Sequence, residues 1–297
     1  MTTLPRGLYT ALITPFNEQG EIDFEGLKAN LEDQIASYVA GIVLTGSTGE
    51  GSTLTENELK ELVPFAKKVT NGKTTLVVGI ASPSTKKCVE QLQMAQEGGA
   101  DAILAITPYS NKPSQEGIYH HFQTLANSTE VPIILYNHPG RCHVPIALDT
   151  LRRLILHPQI AGIKDCSGDL NYFMELCRTF GQQLQIFSGD DGYAYPHLAL
   201  GASGLFSVAS NLFPHVMNKL VQLVLERRFD EALSLHYKLL PLFHALNSET
   251  NPIPVKKGME LLEKPSGSPR LPLTPLSASN TLTLEKLLCV VRPTSNV

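Results

Sequence analysis

The chain has 297 residues, of which 42% are hydrophobic and 18% charged, with a formal net charge of −4. This is the composition of an ordinary globular protein able to build one large core or two smaller ones, and it has no basic runs that would engage nucleic acid or an anionic membrane. Five cysteines (Cys88, Cys142, Cys166, Cys177 and Cys289) show no CxxC spacing. They fit reduced thiols rather than a disulfide frame. With no signal-like start and no run of bilayer length, a cytoplasmic location is expected.

Short β-rich runs at residues 8–13, 41–44, 75–79, 102–106, 132–136, 160–164, 185–188 and 204–207 alternate with amphipathic segments. Several are continuously apolar, such as VPIILY ending at Tyr136, which is the pattern of parallel strands covered on both faces. Asp23 is placed to cap a helix opening at Phe24, and Thr55 with Glu58 forms a capping box. Ser114 opens a further helix, while Gly98-Gly99 and Gly181 provide stops. Eight strand–helix beats predict an α/β fold, a closed (β/α)8 TIM barrel, over residues 1–214. An open doubly wound sheet uses the same alternation but requires no count of eight. Helical periods follow at 216–226, 229–246 and 282–291, interrupted by KPSGSPRLPLTPLSAS. They predict a helical appendage over 215–297, packed on the barrel as part of one structural unit.

In such a barrel, chemistry sits at the carboxyl ends of the strands. The polar text gathers there: Gly46-Ser47-Thr48-Gly49-Glu50, Thr107-Pro108-Tyr109-Ser110-Asn111, Tyr136 to Arg141, Lys164-Asp165, Ser188 to Asp191, and Ser207. Taken singly, each has a plain structural role: a turn, a core-edge tyrosine, a solvated arginine, or a helix cap at Asp190-Asp191. Together they point to a site. The glycine loop lacks a GxxxxGK[ST] frame, and His120, His121, His138 and His143 have no metal-ligand spacing, so neither metal nor cofactor is expected. Lys164 is the unusual residue, because an apolar approach through Ile163 leads straight into an ammonium. At the ordinary pKa of about 10.4, roughly one lysine in 2,500 is neutral at pH 7. Desolvation to a pKa of about 8 raises that to about one in ten, a shift worth about 3 kcal/mol. A neutral amine condenses with a carbonyl, and the resulting imine is an electron sink for carbon–carbon chemistry. Tyr136 is placed to shuttle protons. The N–H groups of residues 46–48 and a bidentate Arg141 are suited to carboxylates.

In order, GSTGE, TPYSNKPSQEG, YNHPGR, GIKDCSGD and SGDD resemble the pyruvate-dependent Schiff-base lyase and synthase superfamily. The resemblance runs from about Leu8 to Pro275. Arg141, NPIPVK (251–256) and RLPLTPL (270–276) resemble its dihydrodipicolinate synthase family in particular. The resemblance implies condensation of pyruvate with L-aspartate 4-semialdehyde toward diaminopimelate and lysine, in a homotetramer built as a dimer of tight dimers. It implies that Lys164 forms the imine, Tyr136 relays protons, and Ser47 and Thr48 bind the pyruvate carboxylate and link the relay. Arg141 would hold the semialdehyde carboxylate, with Tyr109, Ser110 and Phe206 completing the substrate site. Alternatives within the same chemistry are an N-acetylneuraminate lyase-like enzyme or a 2-keto-3-deoxy acid aldolase. Outside it stands a catalytically impaired barrel that binds a keto acid. Two departures from the family pattern occur: Ser110 replaces a tyrosine donated across the dimer interface, and Ser47 replaces a threonine. The family's lysine-effector positions correspond to Glu56, Leu59, Pro83 and Lys87. The cation at Lys87 predicts weak or absent lysine feedback.

Overall fold

Continuous apolar runs need cover on both faces, and alternating helices supply it. The computed structural model describes residues 3–291. Its strands are β1 (Gly7–Ala11), β2 (Gly41–Leu44), β3 (Thr75–Ile80), β4 (Ala102–Ile106), β5 (Ile133–Asn137), β6 (Ile160–Asp165), β7 (Gln185–Ser188) and β8 (Gly204–Ser207). They pair in sequence order, all parallel, and β8 closes back onto β1. The expected TIM barrel is therefore present. The helices are α1 (Phe24–Ala36), α2 (Glu56–Thr70), α3 (Thr85–Glu97), α4 (Gln115–Asn127), α5 (Pro139–Cys142), α6 (Leu148–Leu154), α7 (Leu170–Phe180), α8 (Ala194–Ala199), α9 (Pro214–Leu225), α10 (Phe229–Leu246), α11 (Ile253–Leu261) and α12 (Ala278–Val291).

Local chemistry accounts for the boundaries. Asp23 accepts from Gly26 N at 2.9 Å, Thr55 and Glu58 close a full capping box, and Ser114 accepts from Gly117 N at 3.2 Å. Gly98 and Gly181 follow α3 and α7 as stops. β1 ends at Ala11, short of the expected residue 13. Ile13 N donates instead to the Asn211 side chain at 3.0 Å, so a side chain takes over what a strand partner would have provided.

The appendage differs from expectation in three places. α9 packs on β1 and β8, the position of the ring's eighth helix, so a division at residue 214 separates β8 from its own helix. The sequence pattern does not predict α11, because two prolines flank its start in NPIPVK; Pro254 falls in the first turn, where no N–H partner is needed. α12 begins four residues before the expected 282. Its entry is tied down by Glu249, which accepts from Ser277 N at 3.1 Å and Asn280 Nδ2 at 2.8 Å. Residues 292–297 of the expected appendage lie outside the described residues.

Two apolar layers result. The larger lies between strands and helices, with Leu8, Ile42, Leu76, Ile103, Ile133 and Ile163 facing outward. The smaller fills the barrel with Tyr9, Val43, Val77, Leu104, Ile134, Phe187 and Phe206. Tyr9 stacks on Phe206 at 4.8 Å, and Phe187 meets both rings edge-on at 5.5 and 5.2 Å. This aromatic plug is the floor of the cleft above it.

Candidate active site

Alternate residues of a strand share a face, and the β5–β6–β7 register sets Lys164 beside Tyr136 on one side and Phe187 on the other. Both neighbours point into the barrel, so the lysine does too. Its side chain is 6% exposed, with Nζ 4.1 Å from the Tyr136 ring centroid and 5.4 Å from that of Phe206. Among the described residues no carboxylate lies within ion-pair distance of it. Burial holds its pKa below the ordinary lysine value; Arg141 adds to this, while Cys166, Asp191 and Asp190 oppose it. Desolvation without a partner is the condition that makes an amine nucleophilic.

Tyr136 is itself buried, and burial pushes its phenol well above the ordinary value. Ser47 and Cys166 line the same cleft; Cys166 pushes the phenol further up, while Ser47 and Arg141 oppose this. Ser47 is held by an unusually constrained loop. Thr45 adopts φ 56°, an uncommon conformation for a β-branched residue, and its hydroxyl donates to Gly79 O at 2.7 Å. Gly79 must lack a side chain, since a Cβ there would lie 2.8 Å from Gly46 N. Thr14 donates to Gly49 O at 2.7 Å. Glu50, at φ 52°, is buried against Lys256 Nζ at 2.6 Å and accepts from Arg270 N at 2.8 Å. Backbone strain of this kind persists only where surrounding contacts over-determine it.

Arg141 rides on α5, exposed at the mouth, and donates to Asn251 O at 3.3 Å. Asn251 in turn donates to Thr48 Oγ1 at 2.9 Å, linking the C-terminal helices to the glycine loop. These side chains surround a cleft of about 640 Å³ that includes Ser47, Thr48, Tyr136, Arg141, Lys164 and Cys166. A second chamber of about 300 Å³ shares Ser47, Tyr136 and Arg141 and runs on past Tyr109 to Leu273. Among the described residues no group of three or more His, Cys, Asp or Glu is placed to hold a metal.

The remaining expected residues divide. Tyr109 lines the second chamber rather than the lysine cleft. Phe206, expected to touch substrate, is 1% exposed and stacked on Tyr9, so it underlies the lysine arm instead of lining the cleft. Ser110 is exposed, at φ 70°, and lines neither chamber in this chain. Asp190 caps a short turn by accepting from Gly192 N at 2.8 Å. Asp191 accepts from Val208 N and Ala209 N at 2.9 and 2.8 Å, and burial pushes its carboxyl up to about 6. Asp165 lies behind the rim, accepting from Asn137 Nδ2 and Ser167 Oγ, each at 2.7 Å. Asn251, Cys166 and Gly189 belong to the cleft but had no assigned role in the sequence.

The Dihydrodipicolinate synthetase family model matches residues 4–290. The chain belongs to this family. It is 43% identical over 272 residues to 4-hydroxy-tetrahydrodipicolinate synthase of Leptospira biflexa, covering 92% of each chain. To the protein of the same name from Protochlamydia amoebophila it is 42% identical over 286 residues, 95% of each. The structure of the 4-hydroxy-tetrahydrodipicolinate synthase from Methylacidiphilum fumariolicum SolV superposes with a TM-score of 0.93 at 41% identity, covering 96% of this chain and 95% of that one.

In this family member the space around the lysine is kept open by Gly189. A Cβ there would lie 2.6 Å from Lys164 Cε and closer still to Cys166 Sγ. Gly189→Ala is expected to fold while forcing Cys166 and the Lys164 arm to shift, because the obstructed atoms belong to side chains and not to backbone. It should cut turnover about 10- to 100-fold by displacing the amine; steady-state kinetics beside a melting curve decides this, and unchanged kcat would refute it.

Proposed function

We propose that this family member is a 4-hydroxy-tetrahydrodipicolinate synthase, with Lys164 as its imine-forming residue. The observation that carries the assignment is the desolvated amine of Lys164, without an ion partner among the described residues, against Tyr136 at the head of a cleft. The neutral amine adds to the keto carbon of pyruvate, and loss of water gives the imine. Removal of a methyl proton gives the enamine, whose carbon attacks the aldehyde of L-aspartate 4-semialdehyde. Tyr136, flanked by Ser47, supplies and recovers the protons of these steps. The N–H groups and hydroxyls of Ser47 and Thr48 take the pyruvate carboxylate, and Arg141 takes that of the semialdehyde. Tyr109 closes the second chamber.

Two experiments test this. Borohydride with pyruvate should leave a reduced adduct on Lys164, and its absence would rule out imine catalysis. A coupled assay offering each candidate aldehyde should favour aspartate semialdehyde. A preference for another aldehyde would select the lyase or aldolase alternative, and an adduct without aldehyde consumption would select the impaired barrel. Arg141→Ala should leave the adduct intact while raising KM for the semialdehyde about tenfold or more, as expected for a charge-assisted contact.

Assembly is proposed as a homotetramer in the cytoplasm. Among the described residues no helix is long and apolar enough to cross a membrane. Leu170, Met174 and Leu200 form an exposed apolar face at 38, 39 and 39% exposure, suited to self-association. Sedimentation should show a tetramer that Met174→Asp reduces to a smaller species; a monomeric parent would overturn this. Lys87 is exposed on the first turn of α3 with no ion partner among the described residues, in keeping with weak lysine feedback.

A further inference from the structure

Cys166 lies one residue beyond β6, yet its N–H still donates to Asn137 O at 2.9 Å. The strand pairing thus continues to this residue, and its side chain returns to the face that carries Lys164. It lines the cleft with Lys164 and Tyr136. Its Sγ donates to Gly189 O at 3.2 Å, and a side chain at Gly189 would occupy the position of the sulfur. Burial pushes the thiol up to about 11, so it keeps its proton at neutral pH. That proton is committed to Gly189, and the sulfur packs against the inner cluster that contains Tyr136 in the same cleft, with its lone pairs free to accept from the phenol. Sulfur is a weak acceptor. It can orient the phenol O–H in the resting site and release it when a substrate oxygen arrives.

We propose that Cys166 is a positioning residue for Tyr136, the middle member of a chain running from the Tyr136 hydroxyl through Cys166 to Gly189 O. This rests on the imine assignment of Lys164. The acceptor stabilises the protonated phenol, so its removal makes Tyr136 more acidic.

The test compares Cys166→Ala, Cys166→Val and Cys166→Ser, with valine filling the space and serine retaining both a donor and an acceptor. Alanine and valine are expected to lower kcat about tenfold, with KM for pyruvate within about twofold, and to move the alkaline limb of the kcat profile to lower pH. Serine should recover kcat to within about threefold. Valine decides alone if alanine fails to fold. Wild-type kcat and pH profile in the valine variant would overturn the proposal, as would equal impairment of all three variants. Borohydride trapping of the parent enzyme separates the two levels. A trapped adduct with an unaffected valine variant removes only the role of Cys166, whereas a parent without adduct removes the imine assignment and this inference together.

Discussion

Lys164→Ala is expected to lower synthase activity by more than about 10³-fold, because the covalent route disappears with the nucleophile. The same variant should be no less stable, and Lys164→Met should melt higher. The lysine brings a desolvated ammonium into the barrel with no carboxylate at ion-pair distance among the described residues, so removing it relieves a cost. The pH dependence follows from the direction of the shift. Burial disfavours the charged form, so the folded pKa lies below the unfolded one. The rate of imine formation should therefore rise with pH, with a midpoint below the ordinary value of about 10.4. Between the two pKa values the unfolded chain binds more protons, so this residue's contribution to stability rises with pH. Lys164→Met should abolish both slopes. Stopped-flow adduct formation and pH-dependent melting measure them, and a midpoint at or above the ordinary lysine value would refute the role of burial.

Lys256→Ala is expected to be the most destabilising single charge removal. Lys256 and Glu50 are 2% and 1% exposed at 2.6 Å, and the ammonium also sits 4.1 Å over the Phe16 ring. Removing one partner strands the other in a low-dielectric interior, at a cost of about 3–5 kcal/mol. For a domain of this size, that corresponds to a melting temperature lower by roughly 5–8 °C. KM for pyruvate should rise as well, because Glu50 anchors the loop carrying Ser47 and Thr48. Glu50→Gln with Lys256→Met should recover most of the stability, since no lone charge remains. A loss below about 1 kcal/mol in Lys256→Ala would contradict the burial argument. The exposed pair Arg178–Glu175 offers the contrast, because solvent screens it and its removal should scarcely register.

Much of the architecture was legible because its causes are local. Continuous apolar runs, caps at Asp23, Thr55 and Ser114, and the count of eight all follow from neighbouring residues. Lys164 stood out for the same reason, as a charge at the end of an apolar strand. The role of α9 and the existence of α11 were not legible. A helical period does not say which strand it covers, and a proline-flanked start looks like a loop until its first turn is packed.

By itself, then, the sequence determined the barrel, the rim on which the chemistry gathers, and the lysine and tyrosine at its centre. Tertiary structure decided what surrounds them. Thr48 meets Asn251 across 203 positions, Glu50 meets Lys256, Cys166 finds Gly189, and Phe206 is drawn beneath the lysine by Tyr9. Such contacts depend on barrel closure and strand register. Residue spacing encodes which face a side chain occupies, but only the packed fold sets which distant side chain stands opposite it.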